Sequence, residues 1–257
     1  MATRPALRKK QRILFLPGLG GTERMYDNLH ASLDQSFGTG RWTSEQLRYP
    51  EPGPRESMAD FASRLLPEHG ISNRKFDFVV GTSFGGMLAQ ELVIGGQVRT
   101  ERLVLISPAF TGGDISPVAG MLARMADLVP RFLHRAMRDH LAWVWPLLRI
   151  HKRHARELAK MVRELPRGLL FYAARMIRHW RVPPIDLVRI ISQGLPERTL
   201  LVMGGRDPVI SPARVRRWRE PDLFFPDGDH FIAITRTDEI AEAMRNMMTP
   251  GRRGSNR

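Results

Sequence analysis

Apolar and polar positions along the chain follow two alternating periods. Residues 13–17, ILFLP, form a short continuous apolar run of the kind a strand buried on both faces needs. The glycine loop GLGG follows, and over 24–35 Met25, Leu29 and Leu33 recur on one helical face. SEQLRYP at 44–50 predicts a second strand stopped by EPGP, and Met58, Phe61, Leu65 and Leu66 predict a helix over 55–68. KFDFVVG at 75–81 predicts a third strand, 84–95 a helix opening FGGMLAQELVI, and RTERLVLISP at 99–108 a fourth strand ended by proline. Such alternation implies an α/β fold, a mostly parallel sheet with helices on both faces. Right-handed crossovers bring the loops after the first, third and fourth strands to one rim.

From 111 to 194 a helical pattern takes over, rich in Met, Leu, Trp and Arg and broken at Pro130, Pro146, Pro166, Pro183 and Pro184. The alternation resumes with RTLLVMGG at 198–205, a helix over 211–220, a short strand at 222–226 and a last helix from about 236 to 247. The expected organisation is a core over 11–110 and 195–247, with 111–194 inserted as a helical cap over the sheet's C-terminal rim. Residues 1–10 and 248–257 are expected to be flexible basic tails.

Composition narrows the chemistry. With 42% hydrophobic and 26% charged residues the chain has the make-up of a folded globular protein, not a disordered one. The absence of cysteine removes disulfides, thiolate metal sites and cysteine catalysis. No apolar run approaches a membrane span, and the basic start lacks a signal-peptide pattern, so a cytoplasmic location is expected. The formal charge of +14 favours acidic partners without identifying one.

In Gly81-Thr82-Ser83-Phe84-Gly85 the serine stands between glycines at a strand-to-helix turn. Ser83 there is either a nucleophile exposed on a sharp turn or an ordinary helix cap, and the pentapeptide alone leaves both open. A nucleophilic serine needs a base, and His230, in FPDGDHFIAI directly after the last predicted strand, returns to the same rim. His134, His140, His151, His154 and His179 read as parts of a basic helical surface, while His30 and His69 have no supporting context. Asp207, in VMGGRDPVISP after a strong strand, is the candidate to orient the imidazole, in preference to Asp222, Asp227 and Asp229, which are nearer to His230 only in sequence. The order serine, acid, histidine suits a nucleophilic hydrolase on such a sheet.

With LPGLGG after the first strand, GTSFGG at the elbow, GGRDPVI for the acid and GDHF for the histidine, the chain resembles α/β-hydrolase fold enzymes with a helical cap, over roughly 11–247. The resemblance implies a sheet of about six strands, trimmed at the N-terminus. It also implies an oxyanion hole made by the backbone amides of Leu19 and Phe84. Pro17 stands where the family more often has histidine, which leaves a backbone donor intact.

The implied activity is hydrolysis of a carboxylic ester or thioester with an apolar acyl group, through Ser83, Asp207 and His230, with neither cofactor nor metal. Acyl transfer, perhydrolysis and carbon-carbon cleavage share that triad. Phe110, Met121, Met125, Trp143, Met176 and Phe231 are the candidate walls of an apolar substrate pocket. Arginine and lysine over 131–163 give the cap a basic face, suited to an anionic carrier, an acidic carrier protein or peripheral contact with a lipid surface. A basic nucleic-acid or anionic-surface binding protein is the non-enzymatic alternative, though nucleic-acid contact is disfavoured because the aromatics fall within apolar patterns. Glu23 occupies the third glycine position of a dinucleotide fingerprint, so a nucleotide is not expected. His151 and His154 lack further metal ligands.

Overall fold

The computed structural model describes residues 10–140, 159–181 and 199–248. Its first half runs β1 (Gln11–Leu16), α1 (Asp27–Phe37), β2 (Trp42–Gln46), α2 (Met58–Glu68), β3 (Lys75–Thr82), α3 (Phe84–Ile94) and β4 (Arg99–Ile106). An insertion follows with α4 (Pro117–Asp127), α5 (His134–Asp139) and α6 (Leu169–His179). The chain returns through β5 (Thr199–Gly204), α7 (Pro212–Val215), β6 (Leu223–Phe225), α8 (Ile232–Thr235) and α9 (Thr237–Asn246).

The six strands form one sheet in the order β2-β1-β3-β4-β5-β6, and every pairing is parallel. A strand buried on both faces sends alternate side chains to opposite layers. Leu14, Leu16, Val79, Leu103, Leu105 and Leu201 accordingly join a core with residues of α2, α3 and α6. Ile13, Phe15, Phe78, Val80, Val104 and Val202 point the other way, to α1 and α9. Strand order reverses between β1 and β3, so the chain leaves their C-terminal ends toward opposite flanks and opens a crevice there.

Two predicted elements have different bounds. The second strand, expected at 44–50, pairs over Trp42–Gln46. Leu47 still donates to Phe15 O at 3.0 Å, but Leu47 and Tyr49 then turn into the core. Their apolar character marks where the chain crosses the rim, whereas the edge ladder itself is mostly polar. The helix expected over 211–220 is α-helical only at Pro212–Val215 and continues as tight turns to Arg219, before Pro221.

The start of the insertion is tied to the chain just after α6. Thr111 and Arg181 form an antiparallel bridge, and Gly112 donates to Trp180 O at 2.9 Å. Asp127 at the end of α4 pairs with Arg178 (3.0 Å) and Arg175 (3.4 Å) of α6. His134 is not a surface histidine as expected: it is buried and stacked on Phe171 at 4.1 Å, with Nε2 donating to Val129 O. The hydrogen-bond partner on Nε2 and the parallel ring make it a packing element. Met121 and Met125 also depart from the expected enclosed wall. They are 51% and 59% exposed and share an outer stripe of α4 with Val118 and Leu128. No helix among the described residues is long and apolar enough to cross a membrane.

Candidate active site

Ser83 sits on the turn between β3 and α3 with φ 53° and ψ −117°, a backbone conformation that an L-residue adopts only under constraint. Close packing supplies that constraint. A Cβ at Gly85 would lie 2.0 Å from Leu16 O, and one at Gly81 would lie 2.5 Å from Gly85 O, so only glycine lets α3 start this close to β1 and β3. Ser83 N–H donates to Ile106 O at 2.8 Å, fastening the turn to β4. The serine occupies the N-cap of α3, yet its hydroxyl makes no capping bond. The helix-cap alternative therefore does not describe this side chain.

The hydroxyl instead faces His230, with Oγ 2.9 Å from Nε2. On the other side of the ring Nδ1 lies 2.7 Å from Asp207 Oδ2. A carboxylate accepts only, so the arrangement calls for Nδ1–H donating to Asp207 and a bare Nε2 accepting from Ser83. Ser83 and His230 are each 9% exposed and Asp207 7%, a setting that strengthens each hydrogen bond and makes an unpaired group costly.

Local folding explains how three distant segments meet. Pro208 cannot donate, and the chain after β5 wraps so that Asp207 Oδ1 accepts the amides of Val209 (2.8 Å) and Ile210 (2.9 Å). Oδ2 is left for the histidine. Arg206 N–H donates to Gly228 O at 2.8 Å, tying the acid's loop to the histidine's. Nearer acids have other partners: Asp229 Oδ1 accepts Phe231 N–H, Asp227 pairs with Arg236, and Asp222 accepts from Leu201 N–H and Arg219.

The loop after β1 lies beside the serine. A Cβ on Gly18 would lie 3.4 Å from Ser83 Cβ, and Gly21 N–H closes a turn onto Gly18 O at 2.9 Å. Among the described residues neither the Leu19 nor the Phe84 amide donates a hydrogen bond. Phe84 N–H opens α3, where the helix's unsatisfied donors favour negative charge.

The expected pocket residues are dispersed. Phe110, Met176 and Phe231 are buried in the core, Phe231 meeting the His230 ring edge-on at 5.8 Å. Met121 and Met125 face outward, and Trp143 lies outside the described residues. A cavity of about 460 Å³ instead separates the first loop from the insertion, with Pro17, Gly21, Leu47 and Tyr49 opposite Leu165 and Pro166. Thr22 and the charged residues Glu23, Arg24, Arg48 and Glu164 form its remaining lining, and Arg24 and Glu164 approach to 3.8 Å. Val162 of the insertion reaches the first loop, where a Cβ on Gly20 would lie 3.4 Å from Val162 Cγ2. Among the described residues no group of three or more His, Asp or Glu could hold a metal ion. Tyr26 and Tyr49 reach the backbone of the first loop, on Leu16 O and Pro17 O, and neither stands in a local motif that reveals it.

Solved structures share this architecture. A carboxylesterase from Nitrososphaera gargenis aligns with TM-score 0.66 at 16% identity, over 94% of this chain and 90% of that one. An esterase from Thermogutta terrifontis aligns with TM-score 0.62 at 16% identity, over 93% and 90%. A meta-cleavage product hydrolase from Pseudomonas fluorescens IP01 aligns with TM-score 0.59 at 18% identity, over 93% and 91%. Identities this low speak for the fold alone. No curated protein sequence matches the chain. The sequence model described as the alpha/beta hydrolase family matches residues 13–243, nearly the whole described fold, and the chain belongs to that family.

Proposed function

We propose that the protein is a metal-independent serine hydrolase that cleaves a carboxylic ester or thioester with an apolar acyl group. The observation that carries this reading is the continuous hydrogen-bonded line from Ser83 Oγ through His230 to Asp207, at 2.9 and 2.7 Å. Ser83 Oγ attacks the acyl carbon while Nε2 of His230 takes its proton, and Asp207 holds the ring and stabilises the imidazolium. The tetrahedral oxyanion is received by the amides of Leu19 and Phe84, each worth about 3 kcal/mol to the transition state. Collapse breaks the carbon-oxygen or carbon-sulfur bond, and the His230 proton goes to the leaving group. Water then attacks the acyl-enzyme, giving its proton to His230, and release of the acid returns that proton to Ser83.

The segment 111–194 acts in this reading as a cap. Val162 against Gly20 and the cavity between Pro17 and Leu165 support that role, because they bring the insertion to the loop that carries the oxyanion donor. The apolar part of the cavity suits an acyl chain, while its two arginines are paired with glutamates of the same lining, Arg48 with Glu23 and Arg24 with Glu164. A serine at the nucleophile position favours an acyl-enzyme, in keeping with the esterases among the related folds.

The test is a series of nitrophenyl esters and acyl-coenzyme A thioesters of increasing chain length, assayed with the wild type and Ser83→Ala. Turnover that rises with chain length and vanishes in the variant is expected. Absence of Ser83-dependent turnover, together with no labelling by a serine-directed phosphonate, would overturn the reading.

A further inference from the structure

Two buried tyrosine hydroxyls end on consecutive carbonyls of the first loop. Tyr26 Oη donates to Leu16 O at 2.7 Å and lies 2.9 Å from Thr82 Oγ1, whose proton it accepts. Tyr49 Oη donates to Pro17 O at 2.8 Å. Thr82 immediately precedes Ser83, so Tyr26 joins the end of β1 to the residue beside the serine. Both carbonyls stand against the start of α3, where a Cβ on Gly85 would lie 2.0 Å from Leu16 O and 2.5 Å from Pro17 O.

The peptide between Pro17 and Gly18 is consequently held at both ends. Its carbonyl accepts from Tyr49, and its amide donates to Met25 Sδ at 3.3 Å. The following peptide has its carbonyl, Gly18 O, fixed by Gly21 N–H at 2.9 Å, and its amide is that of Leu19. A peptide unit is planar, so fixing the carbonyl fixes the direction of the N–H on the other side. Each tyrosine ring also packs into the structure that carries the loop, Tyr26 against Phe15 at 4.7 Å and Tyr49 edge-on to Phe84 at 5.4 Å.

We infer that Tyr26 and Tyr49 are positioning residues that aim the Leu19 amide at the oxyanion formed on Ser83. The inference rests on the hydrolase reading above and assigns it two residues outside the triad, whose hydroxyls act through the first loop's carbonyls. Preorganised donors stabilise a transition state because they do not have to reorient as charge develops, and their geometry must be held by a rigid surround. Burial pushes both phenols well above the ordinary tyrosine range, so the donated protons stay in place across the working pH of an enzyme.

The experiment compares the wild type, Tyr49→Phe and Tyr26→Phe on one Ser83-dependent ester. Each variant keeps the ring and removes only the hydroxyl. Misaiming a donor without deleting it is expected to lower kcat by about 10- to 100-fold with KM unchanged. Inhibition by an alkylboronic acid, whose tetrahedral serine adduct presents an oxyanion, weakens by the same factor. A merely structural tyrosine would lower Tm and leave kcat and boronate affinity alone. Wild-type kcat and boronate affinity in either folded variant would overturn the role of that tyrosine, and the second variant decides the matter if the first does not fold. A wild type without Ser83-dependent turnover would overturn the hydrolase reading itself and this role with it.

Discussion

Asp207 divides its carboxylate between two tasks. Oδ2 meets His230 Nδ1 at 2.7 Å, while Oδ1 is saturated by the amides of Val209 and Ile210. The acid therefore cannot rotate without giving up two backbone hydrogen bonds. Asp207→Asn retains a carbonyl oxygen for those amides but can turn an NH₂ toward the ring, which favours the tautomer with the proton on Nε2. The variant should fold with a near-native Tm while kcat falls by about 10⁴, as for the same change in a serine protease triad. Asp229→Asn is the control: its Oδ1 accepts Phe231 N–H, and activity should stay within about twofold of wild type. A comparable loss from both variants in steady-state assays would contradict the assignment of Asp207.

Strain at Ser83 gives a prediction about stability. With φ 53° and ψ −117°, this residue carries a cost that glycine would not. An unstrained N-cap already prefers glycine to alanine by about 0.5–1 kcal/mol. The positive φ adds about 1 kcal/mol to that preference, so Ser83→Gly should exceed Ser83→Ala by about 2 kcal/mol, or about 4–8 °C in Tm, although both are inactive. Thermal unfolding of the two variants side by side checks the gap, and one no wider than about 1 kcal/mol would show that the turn is not strained.

Much of this arrangement was legible in the sequence because its signals are local. Continuous apolar runs marked β1, β3, β4 and β5, and glycines marked the turns where backbones cross. Ser83, Asp207 and His230 follow strand ends in an order that suits one rim, and there they lie within hydrogen-bond reach of one another. Tyr26 and Tyr49 were invisible for the opposite reason. Their partners, Thr82 and Pro17, lie 56 and 32 residues away, and no short pattern encodes a hydroxyl that meets a carbonyl across a rim. The burial of the expected pocket residues is harder to read from the chain. Helical spacing says which side chains share a face, and the stripe of Met121 and Met125 is real, but periodicity cannot say whether that face turns inward.

That difference can be measured among the six expected pocket residues. Met176 is 3% exposed within the core, whereas Met125 is 59% exposed. Met176→Ala should cost about 2–5 kcal/mol through lost burial and a residual cavity. Met125→Gln, which removes an apolar side chain from water, should change stability by less than about 0.5 kcal/mol. Urea unfolding of both variants tests the pair. A large loss from Met125→Gln would mean that the outer stripe of α4 is covered in the native protein.

His30 supplies a pH dependence that is independent of the site. Its ring lies 4.9 Å from Phe15 and 5.2 Å from Trp42, and its buried Nε2 has no hydrogen-bond partner among the described residues. Burial lowers its pKa below the ordinary histidine value of 6.5, although Asp27 and Asp34 pull it partly back. The folded state thus binds fewer protons at this residue than the unfolded chain. The stability associated with a neutral His30 is fully present above pH 6.5 and is lost as the pH falls through the lowered folded-state value. His30→Phe keeps an aromatic ring in the nest and removes the titration. Its urea midpoint should fall less than the wild type's when the pH is taken from about 8 to about 5, with the two curves diverging only below about 6.5. Parallel curves over that whole range would show that His30 is free to protonate in the folded protein.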